Sequence, residues 1–71
     1  MTAGERLKEW RGQRTQAEAA KLLGISQAAL SDYESDRKTP DVVRARRIRD
    51  LTGGAVPFSS WPELHPAKPA A

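Results

Sequence analysis

Cysteine is missing altogether from the 71 residues. Its absence excludes a disulfide framework and a thiolate metal site, so stability has to come from packing. Histidine occurs once, at His65, and no carboxylate pair, nucleophile beside a base, metal-ligand cluster or glycine-rich phosphate loop accompanies it. Nothing here suggests catalysis, and the chain is read as a non-enzyme with no metal, no cofactor and no evident small-molecule ligand. No apolar run approaches the roughly 20 residues that span a bilayer, and Met1 to Lys8 is polar where a leader would turn apolar. A soluble, cytoplasmic protein without a membrane partner is expected. Aromatic residues are scarce, at 6% of the chain. In so small a domain Trp10 is therefore read as a core anchor rather than a surface for stacking on bases.

What remains points to binding. A chain of this length forms one small domain, with little room for an enclosed active site. Its 12 lysines and arginines outweigh 9 acidic residues, for a net charge of +3, a modest bias that suits a polyanionic partner. No internal repeat is present.

The chain is organised around Gln16 to Ser35. Ala17, Ala19, Ala20, Leu22 and Leu23 favour a helix with an apolar face. Thr15 is its expected N-cap, with Glu18 completing a Thr-x-x-Glu capping box. Gly24 ends it, because glycine enters the left-handed conformation without a Cβ penalty. Ser26 is then placed to cap a second helix that starts at Gln27. Two helices so closely joined cross at a steep angle, and the small side chains of Ala19 and Ala20 permit the approach. Leu23, Ile25, Leu30 and Tyr33 would seal the crossing. Gln27, Ala28, Ser31 and Asp32 then face outward on the second helix, where a helix-turn-helix meets the DNA major groove.

The flanks supply the rest of a core. Gly4 to Gln13 is a short amphipathic helix with Leu7 and Trp10 on one face and Thr2 available as cap. Thr39-Pro40 is expected to open a further helix, Thr39 as N-cap and Pro40 at the first helical position. Its buried stripe is read as Val42, Ala45, Ile48 and Leu51, with Val43 beside it. Arg44, Arg46, Arg47 and Arg49 surround that stripe, mostly as solvated charges with one or two reaching phosphate. Gly53 and Gly54 end the helix. The segment from Ala55 to Trp61 reads as extended, since residues before proline avoid the helical region. Val56, Phe58 and Trp61 are too apolar for a free tail and cover either this chain's core or a partner's, which makes them the candidate dimer surface. Ser60 to Leu64 can form one helical turn, and the proline- and alanine-rich residues 65–71 are expected to be a disordered tail. The domain is thus placed at 1–64, with the motif at 16–35.

The 16–35 segment resembles the helix-turn-helix of the Cro and CI type found in phage repressors and related bacterial regulators. Ala20, Gly24 and the apolar Leu23, Ile25, Leu30 and Tyr33 fall where that pattern wants them, and the flanking helices extend the resemblance to about Gly4 to Leu64. Leu51 to Val56 is similar to endings in small Cro-like regulators of prophage and toxin-antitoxin loci. The resemblance implies an all-α fold, a small bundle of four to five short helices of the lambda-repressor-like class with a short extended C-terminal segment. It also implies roles: Gln16 contacting a phosphate and bracing Gln27, and Arg11 pairing with Glu34, for which the alternative is two independent surface charges. The connection between the first two helices lacks the family's common Gly-Leu, and the reading face is poor in basic residues.

In the major groove a glutamine can bond bidentately to adenine, a serine to several base edges, and a carboxylate can accept from cytosine N4, while an alanine can touch a thymine methyl. Gln27, Ser31, Asp32 and Ala28 match these four contacts, with solvent as the alternative for Asp32. Affinity would then come from phosphate contacts at Gln16, Arg14, Lys21, Arg37 and Lys38, the last two on a polar loop that could equally be a solvated one. Because one helix reads only about half a turn of DNA, a homodimer on a two-fold symmetric operator is expected, acting as a repressor in a bacterial or phage-infected cell. The rival reading is a protein-interaction module of the same fold, an antitoxin or inhibitor binding a toxin or host regulator.

Overall fold

In the computed structural model the described residues are 1–64, and the expected tail at 65–71 lies outside them. Four α-helices follow one another: α1 (Ala3–Arg11), α2 (Gln16–Leu23), α3 (Gln27–Glu34) and α4 (Val42–Leu51). Two single 3₁₀ turns, Phe58–Ser60 and Pro62–Leu64, close the described chain. The fold is all-α, with no strand among the described residues, and the segment read as extended at 55–61 turns instead into 3₁₀ geometry after an extended Pro57.

Each helix starts where a short polar side chain can receive its free amides. Thr2 accepts from the Glu5 amide while Glu5 accepts from the Thr2 amide, and Thr15 and Glu18 repeat the arrangement at α2. Ser26 caps α3 by accepting from the Ala29 amide at 3.0 Å. At α4 the expected cap is corrected. Asp41, not Thr39, accepts from the Arg44 amide at 2.7 Å, so the helix starts at Val42 and Pro40 lies buried before it. An aspartate directly before the first free amides reaches them better than a threonine two residues further back, outside the turn.

The ends of α2 and α3 close alike. At Gly24 (φ 69°) the Ile25 amide donates to the Ala20 carbonyl and the Gly24 amide to that of Lys21, closing α2 in a Schellman motif. The end of α3 is closed the same way, but the left-handed residue there is Asp36, at φ 59°. Its neighbour Arg37 donates its amide to the Asp32 carbonyl at 2.9 Å.

Around these ends Ala3, Leu7, Ala19, Ala20, Leu23, Leu30, Tyr33, Ala45, Ile48, Val56 and Trp61 form the core, with Trp10, Ile25 and Phe58 packed at its edge. Trp10 is thus a margin residue rather than a buried anchor. The predicted stripe on α4 is also corrected: Ala45 and Ile48 are buried, whereas Val42, Val43 and Leu51 are exposed at 40%, 69% and 50%. Positions three apart advance about 300° around a helix, so a stripe at that spacing drifts about 60° per step and its ends leave the core face. Trp61 and Val56 make up the deficit. Trp61 meets the Tyr33 ring edge-on at 6.0 Å, and the buried Thr52 hydroxyl accepts from the Val56 amide while donating to the Ile48 carbonyl. The expected dimer surface is therefore corrected at Val56 and Trp61, which are buried in their own chain's core, while Phe58 is half-buried under the Arg46 guanidinium.

Candidate nucleic-acid interface

Packing decides which side of α3 faces out. Leu30, Tyr33 and Glu34 are buried against α1 and α2, and Gln27 and Ala28 on the other side are exposed, with Ser31 and Asp32 half-buried beside them. The Gly24 turn and the Ser26 cap fix where this helix begins, so its first turn projects from the end of α2. The side chains at that turn are uncharged, and α3 carries no basic residue along its length.

The other end of α3 is held from inside. Glu34, only 3% exposed, accepts from Arg11 Nε at 2.7 Å and from Arg11 Nη2 at 3.2 Å, the bidentate geometry a guanidinium favours. Gln16 Nε2 donates to the same carboxylate at 3.0 Å. Arg11 therefore reaches Glu34 despite the short connection, because Gly12 ends α1 and a third Arg11 bond, to the Arg14 carbonyl at 3.0 Å, ties that connection down. The amide of Gln16 is braced at Glu34 rather than at Gln27, which lies about 10 Å further along the α3 axis. One Nε2 hydrogen and the side-chain carbonyl of Gln16 stay available.

The proposed phosphate contacts divide into two groups. Arg14 lies over the Trp10 ring at 5.1 Å and donates to the Trp10 carbonyl at 3.2 Å; with Lys21 it borders a shallow hollow that includes Glu18 and Leu22. Beyond the C-terminus of α3, Lys38 Nζ lies 3.5 Å and Arg37 Nε 3.9 Å from the carboxylate of Asp32. Both candidate cations of this loop are thus paired with a candidate base-reading residue. Three of the four arginines of α4 have internal partners too: Arg44 donates to the Tyr33 hydroxyl at 3.0 Å, Arg46 covers Phe58, and Arg49 pairs with Asp50 at 3.0 Å.

This arrangement, a glycine-turned helix pair with its second helix presenting a polar face, agrees with a comparison at the level of sequence: residues 7–56 match the helix-turn-helix family of the Cro/CI type. The chain belongs to that family. Comparison with curated proteins and with solved structures returned no match. As a member of the helix-turn-helix family, the protein is a DNA-binding regulator. No helix among the described residues is long and apolar enough to cross a membrane, and no group of three or more acidic or histidine side chains there is placed to hold a metal.

Sequence reading missed two features of this helix-turn-helix. The first is Asp36, whose carboxylate accepts from the Gly4 amide at 3.1 Å and from the Thr2 hydroxyl at 2.8 Å, joining the loop after α3 to the start of α1. An aspartate directly after a helix, able to adopt the left-handed conformation, was the available signal. The second is an open cleft of about 450 Å³ between Met1–Ala3, Asp36, Lys38–Thr39 and Ser60–Pro62. Along its wall Trp61 Nε1 and Ser60 Oγ are buried with no hydrogen-bond partner among the described residues. That cleft depends on a fold-back of the C-terminal segment that no local pattern announces.

Proposed function

We propose that this protein is a cytoplasmic, non-enzymatic repressor that binds a two-fold symmetric operator as a homodimer and reads it with Gln27, Ala28, Ser31 and Asp32. The observation that carries the reading is the polarity of α3: one face fully buried, the other offering an exposed glutamine and alanine with a serine and an aspartate beside them. Gln27 suits adenine, Ala28 a thymine methyl, and Ser31 an adjacent base edge. Gln16, Arg14, Lys21, Arg37 and Lys38 are assigned to phosphates, and Arg11 with Glu34 to holding α3 at its angle.

Two copies are needed because a single α3 spans only a few base pairs. A dimer would place its reading helices about 34–36 Å apart on one side of the duplex. With Val56 and Trp61 in the core, the large apolar side chains exposed for a partner are those of Met1, Leu22, Val42, Val43 and Leu51. Repression follows by occlusion, the bound dimer covering promoter DNA.

Selection from a random duplex library with the purified protein tests this reading. The expected product is a set of sites with two-fold symmetry, and Gln27→Ala should weaken binding to them by about 1–3 kcal/mol and relax one position per half-site. Selection that enriches no duplex would overturn DNA reading and favour a protein partner. Asymmetric sites bound by one copy would overturn the dimer.

A further inference from the structure

On α3 the one solvent-accessible charge is negative, and it pairs with the two cations of the loop that follows. Asp32 lies on the outward side of α3, a quarter exposed, while Arg37 and Lys38 are 69% and 71% exposed at their side chains. Their position is built by the backbone. The left-handed turn at Asp36 sends the Arg37 amide back to the Asp32 carbonyl at 2.9 Å, and Arg37 Nε donates to the Ser35 hydroxyl at 3.1 Å. Ser35 in turn donates to the Ser31 carbonyl at 2.9 Å, so the loop is folded against the last turn of α3.

We propose that Asp32 is a specificity-determining residue that acts as an internal substitute for a DNA phosphate. In the free protein it occupies Lys38 and Arg37. A duplex phosphate competes with the carboxylate for those cations, and where it wins the carboxylate is left facing a polyanion without its counter-charge. Where the base beside it is a cytosine, the N4 amine takes the carboxylate and offsets that cost. Elsewhere the cost stands. Asp32 thus weakens binding to non-cognate DNA more than it strengthens cognate binding, discrimination by penalty rather than by added contact. Exposed ion pairs of this length are weak, so the competition is graded and the cations remain free to pivot. This rests on the DNA-reading proposal above and adds to it a role for the only charged member of the reading face.

The test compares the full chain with Asp32→Asn, which keeps the shape and removes the charge, on a random-sequence duplex and on a duplex selected by the wild type. Asp32→Asn is expected to bind the random duplex on the order of five- to tenfold more tightly at low salt, to show a log K versus log salt slope steeper by about 1–2, and to narrow the gap between the two duplexes. Adding Arg37→Ala and Lys38→Ala to Asp32→Asn should abolish the gain. Unchanged or weaker binding to random DNA by a folded Asp32→Asn protein would overturn the proposal while leaving DNA reading intact. A gain that survives removal of both cations would also overturn it, since a general charge effect would then suffice. If the wild type selects no duplex and does not bind the random one, both readings fall together.

Discussion

Gly4 shows how much one hydrogen atom can matter at the residue scale. A Cβ built on it would lie 2.4 Å from the Glu34 carbonyl oxygen and 2.7 Å from that of Tyr33. Those neighbours are backbone, so no side chain can swing aside. The start of α1 therefore touches the last turn of α3 directly, beside the two bonds that Asp36 makes to Thr2 and Gly4. Gly4→Ala must push the two helices apart, and overpacking of this kind costs about 1–3 kcal/mol. The expected result is a fall in melting temperature of about 4–8 °C for each kcal/mol lost in a domain of this size, read by thermal unfolding. An unchanged melting temperature would mean that α1 and α3 do not pack this closely. Glu34 belongs to the same contact. Buried with one cation and one amide on its two oxygens, it joins α1, α2 and α3.

Among the elements, the two capping boxes give stability a pH dependence whose sign follows from their hydrogen bonds. The Thr2 amide, donating at 2.8 Å, holds the Glu5 carboxyl below its ordinary value of 4.5, and the Thr15 amide and then its hydroxyl do the same for Glu18. A carboxyl whose pKa is lower in the folded than in the unfolded chain adds stability above the unfolded value, and that stability is lost as pH falls through the folded one. Unfolding monitored by helical circular dichroism should therefore become easier from about pH 4.5 downward. Replacing both with glutamine, which can still reach back to the cap amide, should flatten that part of the profile. A double variant with the wild-type acid profile would place the acid sensitivity elsewhere. These caps were legible in the sequence because each is a contact over three residues. The start of α4 was not, because Thr39-Pro40 forms a complete cap pattern by itself, and the cap bond from the Arg44 amide to Asp41 that overrides it shows only in the fold. The outward side of α3 was legible from its period, with Gln27 and Ala28 exposed and Ser31 and Asp32 half-buried. The pairing of Asp32 with Lys38 was not, since it depends on a non-glycine residue adopting a positive φ.

On the scale of the whole molecule, the question is how a surface with a net charge of only +3 holds DNA, and how many copies do so. Several cations that composition counts toward DNA have partners inside the protein: Arg11 with Glu34, Arg44 with Tyr33, Arg49 with Asp50. Lys21 differs. It is an exposed residue in the last turn of α2, on the helix that precedes the reading helix. If it neutralises one phosphate per copy, each bound copy contributes about 0.9 to the magnitude of the log K versus log salt slope. Lys21→Ala then becomes a counting experiment, because it leaves the reading face untouched. On a selected symmetric operator the slope should become shallower by about 1.8 if two copies bind together, and by about 0.9 if one binds alone. Affinity should fall on selected and random duplexes alike, since a phosphate contact carries no sequence information. An unchanged slope would remove Lys21 from the interface. A loss confined to the selected operator would instead make it a reader of bases, and the backbone contacts would then have to be sought at Arg14, Arg37 and Lys38.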